Sequence, residues 1–372
     1  MTKKILTDLF SRIEPVWVNA SGSMGTPHSI AIHSGVRVRR NIDGFPFPGR
    51  SSRSELCDSA VVALGSIGRG DAWSGCEFRM VDNLDNLSRY LLLEMRFITP
   101  LLAQGGAGRF FLRDNSGAAS CMINEEDHIS ICATSPGLEI EAAYGMAMGL
   151  ESALDIKSAR DDVLGYLTAN PLYVGSGVTA YVMLHLPALE LSGEMPRIYE
   201  TFERDWKRLA LIRLFSENGG DCAGFFLLSN KRTLGVTSDD IIHRVEDAAQ
   251  SLISKELFAR HKIAGLKDGD VVDKFWRAWG LLRYARKLHF PEALNMFSLV
   301  KLGSDMGMLP FIGDVEWRRL TLGSQRHHLS LSFGRIIEQS EEPFVRAACF
   351  RQFIEGKSSR RSFGQIGSSD AN

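Results

Sequence analysis

Near residue 263 the patterning of this 372-residue chain changes character, and that change limits what it can fold into. Beyond it, GLKDGDVVDKFWRAWGLLRYARKLHF, PEALNMFSLVKLGSDMG and the residues on to Gly356 carry helical patterns and no convincing strand. Before it, strand-like runs are interleaved with helical ones. SIAIHSGVRVRR (29–40) sets Ile30, Ile32, Val36 and Val38 at roughly strand spacing, with Arg37 and Arg39 facing the other way. WSGCEFRMVD (73–82), GYLT (165–168), VTAYVMLHL (178–186), RLALIRLF (208–215) and CAGFFLLS (222–229) also read as strands. So do RFFLR (109–113), ASCMIN (119–124) and HISICAT (128–134), which Gly- and Asn-rich turns separate. Helical patterns cover the N-terminal residues, 53–68, 86–98, Leu138 to about Ala159, and a long stretch ending near Lys262 that Thr237 and Asp240 open like a capping box. The pattern predicts an α+β domain over 1–262, a helical domain over 263–356 and a polar, disordered tail over 357–372.

Net charge is −1 with both signs interspersed, which offers no footprint for nucleic acid and no polybasic membrane patch. The six cysteines form no CxxC pair, arguing against a zinc site or a disulfide framework and fitting a reducing cytosol. The N-terminal MTKKILTDLFSRIEPVW breaks its apolar residues with Asp8 and Glu14 and does not read as a signal peptide. The apolar stretch at 181–191 is too short to span a bilayer. A cytoplasmic protein without a metal centre of its own is expected.

Residues 124–131 read NEEDHISI, three acids opening a strand. Taken alone, they read as a solvated strand start. Other segments sharpen the signal: GVRVRRN (35–41), NEEDH (124–128), NPLYVGSGVTAYVMLHLPAL (170–189), SENG (216–219) and SNKRTLG (229–235) follow one another in that order. This order resembles that of the ATP:guanido phosphotransferases, most closely the bacterial protein-arginine kinases, over about residues 30–350. The resemblance implies a guanido-kinase catalytic domain, an antiparallel sheet flanked by helices, followed by a helical dimerisation and regulatory domain. It also implies ATP and Mg2+ as cofactors, arginine side chains of proteins as substrate, a homodimer, and, as a family habit, a small zinc-binding activator protein.

The chemistry such a site needs is general. A guanidinium has a pKa above about 12 and is a poor nucleophile until its charge is managed. Carboxylates can grip its N–H groups, orient one nitrogen and accept its proton. Phosphoryl transfer asks mainly for positioning and for cations around the moving group. By resemblance, the catalytic carboxylate falls on Glu126 and a second guanidinium-binding one on Glu217, with Asn124, Glu125, Asp127 and His128 as supports. The family's cysteine beside the guanidinium is replaced by Asn170, which can hydrogen-bond but cannot be a thiolate.

The arginines depart from the family pattern. SxRxRxxRN becomes HSGVRVRRN, so Gly35 replaces one nucleotide arginine while Arg37 and Arg40 remain and Arg39 is added. Ser130 and Thr179 stand where two further arginines are expected. A fourth falls on Ile212, and Arg213, one residue off, serves only if the register slips. Gly175, Ser176 and Gly177 read equally as a phosphate cradle or as a tight turn before a strand. In the helical part, RPxERDxRRA becomes EEPFVRAACFRQ, keeping Arg346 and Arg351 but losing the ERD core of a phosphoarginine site. His327 and His328, about 100° apart on a helix, read as a solvated face, and Trp276 and Trp279 as packing anchors. Three functions follow: a protein-arginine kinase; a catalytically impaired relative that binds proteins or arginine residues as a scaffold or regulator; and a small-molecule phosphagen kinase. The last is the weakest, because those enzymes place a helical domain before the SxR motif and only 29 residues precede Ile30 here.

Overall fold

The computed structural model describes residues 14–20, 30–69, 71–214, 224–265 and 269–361. In chain order the helices are α1 (Val16–Asn19), α2 (Arg53–Ile67), α3 (Asn86–Glu94), α4 (Pro100–Ala103), α5 (Ile140–Ser152), α6 (Pro187–Leu191), α7 (Met195–Asp205), α8 (Ser238–Gly265), α9 (Gly269–Tyr284), α10 (Phe290–Asp305), α11 (Asp314–Gly323), α12 (Arg326–Ser332) and α13 (Glu342–Arg361). The strands are β1 (Ala31–Arg40), β2 (Glu77–Met80), β3 (Phe110–Arg113), β4 (Ala119–Ile123), β5 (Ile129–Pro136), β6 (Arg160–Asp161), β7 (Gly165–Tyr166), β8 (Val178–His185), β9 (Leu209–Arg213) and β10 (Phe225–Asn230). Eight of them form one antiparallel sheet in the order β2-β3-β4-β5-β1-β8-β10-β9.

The alternation in β1 sets the architecture. Val36 and Val38 point into a core shared with Ile131 and Ala133 of β5 and Ala180 and Val182 of β8, and α2, α5 and α8 contribute to that core. Side chains of opposite parity face the other side. There, Phe111, Met122 and Cys132 are covered by a second cluster drawn from α1, α3 and α4, including Val18, Leu87, Leu91 and Leu102. This cover serves the β2-to-β5 half of the sheet. The half built from β1, β8, β10 and β9 carries a cleft instead.

The helical region is not set apart from the sheet. Phe275, Trp279, Leu294, Phe297 and Phe350 join the same core as the sheet residues. The sequence boundary at 262/263 falls inside α8, which runs on to Gly265. A buried polar chain ties the two parts. Glu256 of α8 accepts the Ala188 and Leu189 amides at 3.1 and 3.0 Å and thereby caps α6. It also holds Arg260 at 2.8 Å, which reaches Asp305 of α10 at 3.2 Å. Breaking such a buried pair by removing one partner costs about 3–5 kcal/mol.

Several expectations change. The strand read over 73–82 shrinks to β2. The helix α7 went unread, although Met195, Ile198 and Phe202 are its buried stripe. Of the proposed tail, 357–361 continue α13. Trp279 is a packing anchor at 4% exposure, but Trp276 is 43% exposed. His327 and His328 are not a solvated face: their backbone amides and Nδ1 atoms converge on Glu94 of α3, at 2.9 and 2.8 Å for His327 and 3.1 and 2.5 Å for His328.

Candidate active site

The NEEDH segment is shaped by contacts that leave one carboxylate free. Asn124 sits at φ 53, a left-handed conformation that asparagine tolerates, and its amide nitrogen donates to the Leu56 and Gly108 carbonyls. Glu125 accepts the Thr99 hydroxyl at 2.6 Å. Asp127 accepts Asn41 Nδ2 at 2.6 Å and the Ala169 amide at 2.7 Å. The His128 amide donates to Asn41 Oδ1, and its Nδ1 accepts the Ile42 amide at 3.2 Å. Glu126 has no hydrogen-bond partner among the described residues and is only partly buried. Burial, with Asp127 and Glu125 beside it, raises its pKa, and Arg39 and Arg37 pull the other way. A carboxylate so poised is an available base.

The arginines line the cleft, a space of about 320 Å³ on the open half of the sheet. The β1 register pairs Arg37 with Cys132 and Thr179, and Arg39 with Ser130, so all of these share the cleft face. Arg37 Nε lies 3.1 Å from Cys132 Sγ. Arg39 donates to Thr179 Oγ1 at 2.8 Å and lies 3.8 Å over the Tyr173 ring. Burial, then the neighbouring Arg37, lowers its pKa. The added arginine of the sequence thus leans over the very position, 179, where an expected arginine is missing. Ser130 is 1% exposed beneath it.

A third cleft arginine escaped the sequence reading. Arg96, just past the C-terminus of α3 with φ 62, lines the same space. No motif announces it, because its place depends on α3 packing over the sheet. The non-glycine positive φ at a helix end is visible only in three dimensions.

Arg40 and Arg213 are placed elsewhere. Arg40 has the parity of Val36 and Val38. Its Nε meets Glu151 at 2.7 Å, its Nη1 donates to the Arg39 and Ser176 carbonyls, and its guanidinium lies 3.6 Å over Tyr166. In β9 the register does not slip: Ile212 pairs with Leu227 and faces the cleft, while Arg213 turns away to Glu190 at 2.7 Å. Neither arginine is available to a nucleotide in the cleft.

The glycine turn serves packing. The Gly175 amide is spent on the Tyr166 carbonyl, and a β-carbon at Gly175 would lie 2.7 Å from the Thr233 carbonyl. At Gly177 it would lie 2.6 Å from Arg40 Nη1, and the Ser176 hydroxyl accepts the Val178 amide. Asn170 caps the following turn, its Oδ1 accepting the Leu172 amide at 3.1 Å. Because its neighbour Ala169 donates to Asp127, Asn170 is held next to the NEEDH turn. Glu217 lies outside the described residues. Arg346 in the helical region is 1% exposed and engages the Ser324 and Leu288 carbonyls and Glu342, while Arg351 donates to the Ala285 carbonyl.

Comparison with known proteins agrees with this arrangement. The family described as ATP:guanido phosphotransferase, C-terminal catalytic domain, matches residues 67–259, and the protein-arginine kinase McsB C-terminal domain matches 268–364. The chain is 32% identical to the protein-arginine kinase of Syntrophomonas wolfei subsp. wolfei, across 93% of this chain and 97% of that one. It is also 32% identical to the protein-arginine kinase of Symbiobacterium thermophilum, across 92% and 98%. In fold it is similar to lombricine kinase (TM-score 0.52, 18% identity, 66% of this chain and 71% of that one). The substrate-free duplicated taurocyamine kinase from Schistosoma mansoni gives a TM-score of 0.56 at 19% identity, over 74% and 41%. The chain belongs to the ATP:guanido phosphotransferase family, alongside the protein-arginine kinases.

Proposed function

We propose that this protein is a protein-arginine kinase: it moves the γ-phosphoryl group of ATP to an arginine side chain of a protein. One observation carries the reading. Three guanidinium groups, Arg37, Arg39 and Arg96, share a cleft beside Glu126, the one acid of its cluster without a hydrogen-bond partner among the described residues. The arginines suit the phosphates and the charge of the moving phosphoryl group, where a single well-placed arginine is worth about 10³-fold in rate. A substrate guanidinium nitrogen attacks the γ-phosphorus, the bond to the β,γ-bridging oxygen breaks and ADP leaves. The proton of the attacking nitrogen passes to Glu126.

Mg2+, when bound, would supply further neutralisation of the phosphates. The residue that would hold it is Asp127, whose Oδ2 is a buried acceptor without a hydrogen-bond partner among the described residues and lies 4.0 Å from Arg39 Nε. A homodimer through the helical region is supported by exposed apolar residues of α9, Val272, Trp276, Leu281 and Tyr284. A cytoplasmic location is supported by the free thiols of the five described cysteines.

The test is incubation of the full chain with ATP, Mg2+ and an unfolded arginine-rich protein, followed by mass spectrometry for acid-labile phosphoarginine. Phosphoarginine is expected. Its absence, together with Glu126-dependent binding of arginine-rich peptides, overturns the kinase reading in favour of a binding protein.

A further inference from the structure

Behind the cleft, where α11 meets the start of β1 and the end of α3, lies a small chamber of about 30 Å³. Its lining is unusual for a protein interior. Arg318 is 1% exposed, and among the described residues its Nη2 is engaged on the Ala20 carbonyl while Nε and Nη1 have no partner. The neighbouring Trp317 Nε1 and Thr321 Oγ1, also buried, have none either among the described residues. Arg96 and Gln325 complete the polar wall. Glu94 borders the chamber too, but both its oxygens are taken up by His327 and His328. Asp314, one turn before Arg318, is paired with Lys301 at 2.7 Å.

A buried guanidinium is costly when its Nε and Nη1 hydrogen bonds are unmade among the described residues and its nearest carboxylates, Asp314 and Glu94, are engaged by Lys301 and by the two histidines. Water can pair with its N–H groups but cannot neutralise it. The unpartnered groups are donors, apart from a threonine hydroxyl that can act either way, so the fitting occupant is an acceptor carrying negative charge. The volume excludes a nucleotide and admits a compact anion.

We propose that this chamber is a binding site for a small oxyanion of the inorganic phosphate type, held by Arg318, Trp317 and Thr321. Arg96 lines both the chamber and the cleft, as does Met183. An anion in the chamber therefore draws on the same guanidinium that faces the cleft, and its occupancy weakens anion binding there. The site stands on its own geometry and holds whether or not the chain transfers phosphoryl groups.

Crystals of the full wild-type chain soaked in selenate, a tetrahedral dianion with an anomalous signal, test it. The expected result is an anomalous peak bounded by Arg318 and Thr321 that fades when excess phosphate is added to the soak. Peaks confined to Arg37 and Arg39, with none in the chamber, overturn the proposal. In the same soak Arg318→Gln is expected to lose the chamber peak and keep any at the cleft. A chamber peak that persists in that variant also overturns it, and if the variant does not fold the wild-type soak alone decides.

Discussion

Tyr181 occupies the space that a side chain at position 35 would need. The two residues face each other across β1 and β8, and a β-carbon on Gly35 would lie 2.5 Å from the Tyr181 hydroxyl and 3.0 Å from the Ala133 carbonyl. A longer side chain at position 35 and the tyrosine at 181 therefore exclude each other. Gly35→Arg alone is expected to destabilise the protein by about 1–3 kcal/mol through overpacking. Tyr181→Ser in the same chain should recover most of that loss. Urea unfolding of both single variants and the double variant measures the coupling. Additive effects would show that Tyr181 is not what closes position 35.

The same pair shows what the sequence could and could not tell. Alternation in β1 was enough to put Arg37 and Arg39 on one face, but the family pattern kept Arg40 among the nucleotide arginines, whereas its parity with Val36 and Val38 turns it away to Glu151 and Tyr166. The NEEDH turn was legible only through its place in the order of motifs, since its acids alone read as a solvated strand start. The filling of lost arginine positions was not, because it comes from elsewhere: Arg39 leaning over Thr179, Tyr181 over Gly35, and Arg96 from the end of α3. Nor was the Glu94 contact with His327, which joins residues 233 apart in the chain. Periodicity reports which way a side chain points, not which distant element meets it.

Two buried histidines set the response of stability to pH. Burial, with Arg96 and Arg318 nearby, lowers the His33 pKa from 6.5 to about 3. Burial lowers that of His128 to about 4. Both are neutral in the folded chain and free to take a proton once unfolded, so stability falls as pH drops below about 6.5. Each contributes about 1.4 kcal/mol per pH unit at full slope. Glu94 adds to the loss lower down. Burial pushes its carboxyl up, but hydrogen bonds from His327 and His328 outweigh that and hold it at about 2, an advantage lost as pH falls below 4.5. Asp127 and Glu256, raised by burial, offset part of the slope. His33→Phe, which removes a ring with both nitrogens unpartnered among the described residues, should flatten the fall between pH 6 and 4.5 by about one proton's worth. Unfolding free energies across that range check it. An unchanged slope would mean that His33 is protonated in the native state.

Glu126 is where the proposed chemistry is most exposed to test. Glu126→Gln keeps the shape and one acceptor but loses the charge that holds a guanidinium and the basicity that takes its proton. Phosphotransfer should fall by at least about 10²-fold, the usual contribution of a general base, while ATP affinity stays close to wild type. The pH dependence carries a second signature. The base must be ionised to act and its pKa is raised, so activity should be lost on the acid side at a pH above that of an ordinary glutamate. Arg37 and Arg39 both favour its ionised form, so Arg37→Met should move that acid limb to still higher pH as well as weaken nucleotide binding. Measuring kcat/KM against pH for the wild type and Arg37→Met separates the two effects. A limb that stays in place while affinity falls would remove Glu126 from the role of base and leave Arg37 as a nucleotide contact alone.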